Sequence, residues 1–79
     1  MSNSAPDASL EQARQTLADY HQFLLAQLAH ERTRAHPDPE TLAELEQHQL
    51  EVHGEQQALT PAVIKKALTV YAPFLQAML

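Results

Sequence analysis

The chain has 79 residues, enough for one small domain, and it contains one glycine, five prolines and no cysteine. A domain of this size buries only about 60% of the surface that its unfolded form exposes, so its apolar core is small. Because disulfides and thiolate zinc sites are excluded, association with a protein is the expected source of further stability.

The net charge of −5 is divided unevenly along the chain. Residues 1–59 contain all ten acidic residues against three arginines, whereas residues 60–79 contain two lysines and no acidic residue. Scattered basic residues do not form the clustered patch that phosphate binding requires, so we expect no direct nucleic-acid partner. No stretch approaches the roughly 20 apolar residues of a membrane span. The polar N-terminus does not resemble a secretory signal, so we expect a cytoplasmic protein that binds no membrane.

Apolar residues recur at helical spacing from Leu10 to Leu28, and this pattern predicts a first helix over about 9–35. Ser9 and Gln12 form a capping-box pattern at its start. Residues 1–8 are expected to be a disordered tail. The domain is therefore expected to span residues 9–79.

Aspartate and proline mark the start of a second helix over about 39–53. Asp38 is the predicted N-cap, and Pro39 suits the first helical position because its fixed φ angle matches the helix. Gly54 is the only glycine, and it lies where a left-handed C-terminal cap is expected. The second helix is thus predicted to end just before it.

Six acidic residues and no lysine or arginine lie between Pro37 and Ala58. The plain interpretation is a solvated helix face that keeps the protein in solution. The functional interpretation is electrostatic docking of a basic partner surface by Glu40, Glu44 and Glu51. Our alternative function follows from it: an acidic regulator that covers the nucleic-acid-binding surface of a target protein.

A third helix over about 60–79 is predicted from a second pair of cap and proline, Thr60 and Pro61. Pro73 lies inside it and has no N–H to donate. The helix is therefore expected to kink or restart near Ala72.

The apolar side chains of the third helix cover an arc of about 200°, which is wider than one neighbouring helix covers. The first helix is also apolar over most of its circumference between Tyr20 and Leu28, because Phe23 and Leu25 flank its main apolar stripe. A wide apolar arc predicts either the central helix of a compact monomer or an exposed interface. We predict an interface, and expect an oligomer or a partner protein to contact Phe23, Leu25, Leu68, Tyr71, Phe74, Leu75 and Met78.

Five histidines suggest a metal-binding helical protein as a third hypothesis. However, His48 and His53 are five residues apart, whereas two ligands on one helical face need a spacing of three or four. We therefore predict no metal site and no cofactor. No serine, threonine or cysteine is placed near a histidine as a nucleophile, and a single glycine excludes a glycine-rich phosphate loop, so no enzyme is expected.

These patterns together predict an all-α domain resembling a three-helix bundle. The first two helices are expected to form an antiparallel hairpin, and the third to pack across the Tyr20–Leu28 region of the first. The expected function is a non-enzymatic protein–protein interaction module, such as a small adaptor, chaperone or inhibitor.

Overall fold

Helices form all of the regular secondary structure in the computed structural model, which describes the backbone of residues 4–78 and the side chains of residues 8–78. The elements are α1 (Ser4–Arg32), α2 (Pro39–Gln57), α3 (Pro61–Lys66), a π-helical turn (Ala67–Tyr71) and α4 (Ala72–Gln76). The last three follow one another without a loop, and we call them together the C-terminal helix. Three helices packed together confirm the all-α prediction.

The start of α1 differs from its prediction. The helix begins at Ser4, so Ser9 lies inside it and the predicted capping box is wrong. The alanines in this segment favour a helix, and a proline is tolerated in a first turn, where its missing N–H has no intrahelical partner. The predicted disordered tail stays a prediction, although the backbone of residues 4–8 is helical; residues 1–3 lie outside the described residues.

The connection between α1 and α2 is closed by the buried carboxylate of Glu31. Its oxygens accept the backbone N–H of Asp38 at 2.8 Å and the Nη1 donor of Arg34 at 3.0 Å. The hydrogen bond from Asp38, followed by that from Arg34, lowers the pKa of this carboxyl below its ordinary value. The chain thereby turns directly after Arg32. Helix α1 therefore ends three residues before the predicted end at about residue 35.

The start of α2 is as predicted, and its end is not. The Asp38 carboxylate accepts the backbone N–H of Glu40 at 3.1 Å, with Pro39 in the first turn. The helix continues through Gly54 to Gln57, and the glycine has no positive φ, so the predicted cap is wrong. A glycine within a helix costs only about 1 kcal/mol relative to alanine, and the good helix formers after it sustain the ladder.

The C-terminal helix starts at its predicted cap. The Thr60 hydroxyl accepts the backbone N–H of Val63 at 3.2 Å, and Pro61 occupies the first turn. A new α-helical segment begins at Ala72, where the sequence predicts a restart.

The π-helical turn before that restart was not predicted. Pro73 has no N–H for the Thr69 carbonyl, and in an α-helix its ring would collide with that carbonyl. In the wider turn the Ala72 N–H donates to the Ala67 carbonyl, five residues back, which gives the proline ring room. The chain thus accommodates the proline without leaving the helical region of backbone angles.

The core lies along one face of α1, which packs against both α2 and the C-terminal helix. Its buried members are Ala13, Leu17, Tyr20, Leu24, Val52, Ala67 and Tyr71. The molecule measures 56 × 26 × 14 Å, and its radius of gyration is 14.6 Å. A compact domain of this length has a radius of gyration of about 12 Å, so the fold exposes more surface than a compact bundle.

Candidate protein-interaction surface

All four aromatic residues of the chain meet in one cluster where α1 contacts the C-terminal helix. The rings of Tyr20 and Tyr71 are stacked with their centroids 4.2 Å apart. The Phe74 ring lies edge-on to Tyr20 at 5.6 Å and to Phe23 at 5.4 Å. The third helix therefore packs across the middle of α1, in the region that the sequence predicts.

Tyr71 was predicted to contact a partner, and the structure corrects this. Its side chain is 2% exposed and belongs to the protein's own core. The Tyr71 hydroxyl donates a hydrogen bond to Glu55 Oε1 at 2.8 Å, and the ring is covered by Tyr20. A buried ring whose hydroxyl already has an acceptor is a stabilising element of the monomer.

Three other predicted interface residues form one exposed surface. Phe74 is 43% exposed and Met78 is 50% exposed. Phe74 lies next to the half-buried Phe23, whose ring it contacts, and Met78 follows in the turn directly after α4. We call Phe23, Phe74 and Met78 the apolar patch. Leu75 is half-buried and packs against the core beside it.

The remaining predicted residues do not join this patch. Leu25 is exposed but is rotated by about 200° from Phe23 around α1, so it faces another side of the molecule. Leu68 is half-buried. Leu50 and Val70 are also well exposed and were not named as interface residues. The sequence signal that could have identified Leu50 as an exposed residue is its position off the apolar stripe of α2.

The glutamates predicted to dock a partner, Glu40, Glu44 and Glu51, are all exposed on α2. Two of them border a shallow hollow of about 460 Å³. The hollow is lined by Ala43, Glu44, Gln47, His48 and Glu51. Among the described residues, none of the three glutamates is in an ion pair.

The other acidic residues of this run have partners within the protein. Asp38 caps α2, and the Glu46 carboxylate accepts a hydrogen bond from Arg32 Nη2 at 2.9 Å. Glu55 Oε2 accepts a hydrogen bond from Lys66 Nζ at 2.7 Å. The three predicted docking glutamates are therefore the members of the run that remain available to another molecule.

Glu55 connects α2 to the C-terminal helix through two residues. Besides accepting the hydroxyl of Tyr71, it pairs with Lys66, whose Nζ atom lies 5.3 Å from the centroid of the Tyr71 ring. The hydrogen bond to Glu55, and then the one to Tyr71, raises the pKa of Lys66. Burial raises the pKa of Tyr71. Lys66 therefore stays charged in the folded protein and is used internally.

The acidic hollow and the apolar patch have a common neighbour in Tyr20. His48 lines the hollow, and its ring meets the Tyr20 ring edge-on with the centroids 5.3 Å apart. The Tyr20 hydroxyl lies 3.4 Å from His48 Nε2. Since the buried Tyr20 ring also contacts Phe74, the acidic side of α2 and the apolar patch both lie next to this one ring.

Two of the five histidines, His21 and His53, have glutamine partners, and their rings lie 5.9 Å apart. The Gln49 amide lies 2.8 Å from His21 Nε2, and the Gln57 amide lies 3.2 Å from His53 Nε2. Within residues 8–78, no three histidine, aspartate or glutamate side chains converge as metal ligands do. The metal-binding hypothesis thus has no candidate site in the part of the chain that the structure describes.

A second hollow, of about 650 Å³, lies between the first half of α1 and the end of α2. It is lined by Glu11, Gln12, Arg14, Gln15, Leu17, Ala18, Gln56 and Leu59. Its charged groups are solvated, and Arg14 pairs with Glu11 at 3.4 Å. Catalytic groups typically lie in water-excluded clefts, whereas the charged side chains that line this hollow are exposed.

No described helix is both long and apolar enough to cross a membrane. No family model matches the chain, and no curated protein or solved structure matches it significantly. The surface itself is the basis for a functional proposal.

Proposed function

We propose that this protein is a non-enzymatic interaction module that binds another protein chain through the apolar patch. The observation that supports this proposal most is the exposure of Phe74 and Met78 beside Phe23. Aromatic residues and methionine are enriched at the buried centres of protein interfaces. Adaptors, small chaperones and inhibitors all act through such a surface.

The patch is also built on a rigid support. Phe74 contacts Tyr20, which is stacked on Tyr71 in the core. An anchor that is already held in place loses little side-chain entropy on binding, so more of its burial contributes to affinity. This arrangement favours Phe74 as the main anchor of an interface.

Substitution of Phe74 by glutamate tests the proposal. Phe74→Glu is expected to keep the helical circular dichroism of the protein and to lose binding of a hydrophobic dye. If a second copy occupies the patch, this variant also changes the mass measured by light scattering behind size exclusion. The control is Leu50→Glu, because Leu50 is equally apolar and more exposed but lies away from the patch on α2. It is expected to leave folding, dye binding and mass unchanged.

Two results would contradict the proposal. One is a wild-type monomer of 8.8 kDa that binds no hydrophobic dye, because its apolar patch would then not be accessible. The other is an unfolded Phe74→Glu variant, which would show that Phe74 belongs to the core. The matched Leu50→Glu variant shows whether the second result, unfolding, is a general effect of added negative charge.

A second candidate function is the acidic regulator that covers a nucleic-acid-binding surface of its target. The observation in its favour is that Glu40, Glu44 and Glu51 are exposed and have no ion pair among the described residues. Salt distinguishes the two candidates, because screening weakens contacts between exposed charges but not apolar burial. Binding led by carboxylates is expected to weaken strongly at about 0.5 M salt, where the Debye length is about 4 Å.

A further inference from the structure

We infer that the partner of the apolar patch is a cationic amphipathic helix of another protein. Its apolar stripe covers Phe74 and Met78, and its lysine or arginine side chains face Glu44 and Glu51. This inference rests on the proposed function and adds the chemistry of the partner to it.

The first argument is that the acidic hollow and the apolar patch lie next to the same aromatic ring. Glu44 and Glu51 border a hollow that includes His48, and His48 contacts Tyr20. Tyr20 in turn contacts the ring of Phe74. His48 and Phe74 are each less than 6 Å from the Tyr20 ring centroid, at 5.3 and 5.6 Å, so a ligand about 10–12 Å wide can reach both.

The second argument is one of dimensions. Glu44 and Glu51 are seven residues apart, which corresponds to two helical turns, or about 10.5 Å along α2. Phe74 lies in α4, and Met78 lies in the turn two residues after the end of that helix. An α-helix with its side chains is about 10–12 Å wide. One such helix therefore has room for a cationic stripe that contacts the two glutamates and an apolar stripe that contacts Phe74 and Met78.

The third argument concerns charge and excludes a second copy as the favoured occupant. Four of the five basic residues of the chain already pair internally: Arg14, Arg32, Arg34 and Lys66. Among the basic residues of the described part of the chain, only Lys65 has no ion pair. Each copy has a net charge of −5. A second copy would bring acidic surface against acidic surface. Nucleic acids and anionic lipids are repelled for the same reason.

Two synthetic peptides provide the probe for this inference. Both have about 18 residues, or five turns, and the same leucine stripe, but the polar face carries lysine in one and glutamate in the other. Isothermal titration at low salt is expected to show one lysine peptide bound per chain and no binding of the glutamate peptide. Raising the salt from about 0.05 M to about 0.5 M is expected to weaken the lysine complex.

Matched variants assign the contacts. An exposed ion pair contributes about 0.2–1 kcal/mol, so the double variant Glu44→Gln, Glu51→Gln is expected to weaken binding by about 2- to 30-fold. The control Glu11→Gln, Asp19→Asn changes the net charge equally on exposed positions of α1 and is expected to leave affinity unchanged. Phe74→Ala is expected to weaken binding by about 30-fold or more.

The outcomes separate this inference from the proposed function. Equal binding of both peptides would show that the patch binds apolar helices without regard to charge, and the inference would be wrong. Failure of both peptides, with dye binding that Phe74→Glu removes, also overturns the inference and leaves the interaction module standing. A homodimer that Phe74→Glu dissociates would make a second copy the occupant. Absence of both peptide and dye binding would refute the inference and the proposed function together.

Discussion

The hydrogen bond between Tyr71 and Glu55 is expected to contribute measurably to the stability of the folded monomer. Replacing Tyr71 by phenylalanine removes only the hydroxyl, which donates to Glu55 Oε1 at 2.8 Å. The ring and its stacking on Tyr20 at 4.2 Å are retained. Any loss of stability therefore reports on the contact between α2 and the C-terminal helix.

The expected magnitude follows from the charge of the acceptor. A hydrogen bond to an ionised group contributes about 1.5–3 kcal/mol. The Glu55 side chain is 16% exposed and retains its pair with Lys66 in the variant, so we expect a value near the lower limit, about 1.5 kcal/mol. In a domain of this size each 1 kcal/mol shifts the melting temperature by about 4–8 °C, which gives a decrease of about 6–12 °C.

Tyr20→Phe is the matched control. The Tyr20 ring is buried in the same stack, but its hydroxyl lies 3.4 Å from His48 Nε2, a long contact to an imidazole. We expect this variant to lose less than about 0.5 kcal/mol. Thermal and urea unfolding followed by far-ultraviolet circular dichroism measure both. If the two variants lose the same stability, or if Tyr71→Phe loses less than about 0.5 kcal/mol, the Glu55 contact does not join the helices as described.

Three further predictions concern the core and the titrating groups. Leu17→Ala is expected to cost about 2–5 kcal/mol because Leu17 is fully buried, whereas the exposed Leu50→Ala is expected to cost less than about 0.5 kcal/mol in urea unfolding. The pKa of the Glu31 carboxyl is lowered by the N–H of Asp38, so its stabilising effect is present above about pH 4.3 and disappears as the pH falls through the folded value. Glu31→Gln is therefore expected to be less stable than wild type at pH 7 and to lose less further stability on acidification, and parallel acid unfolding curves would contradict this. Burial raises the pKa of both tyrosines, so their contribution to stability is present below about pH 10 and lost above it. Tyrosinate absorbance is expected to develop at higher pH in the folded protein than in urea, and coincident titrations would show that the rings are not buried.

Local signals in the sequence predict the helices and two of their starts well. The side chains of Asp38 and Thr60 cap their helices as predicted. Each accepts the backbone N–H of a residue two or three positions later in the chain. The end of α2 was mistaken because Gly54 tolerates several conformations, and its neighbours decide which one is adopted. The two patterns that combine a cap with a proline were reliable because their partners are adjacent in the chain, whereas the capping box at Ser9, which has no proline after it, was wrong.

The division of the C-terminal helix into core and surface was harder to predict. Helical periodicity gives the width of an apolar arc, but it does not show how much of the arc the rest of the chain covers. Tyr71 lies in the core because Glu55, sixteen residues earlier, accepts its hydroxyl. Phe74 remains 43% exposed, although its ring contacts Tyr20 and Phe23 of α1. Both outcomes depend on contacts between distant residues.

The π-helical turn has a consequence for the angular phase of the C-terminal helix. Such a turn is equivalent to one residue inserted into an α-helix, so every later residue takes the direction that its predecessor would have in an unbroken helix. Residues beyond Tyr71 are thereby rotated by about 100°, and Phe74 takes the direction of position 73. Converting the turn to an α-helical one at the same chain length would rotate these residues by about 100° and move a different set of side chains outward, whereas deleting Thr69 would remove the wide turn and leave their directions unchanged. One wide turn thus selects which aromatic ring this protein presents to its surroundings.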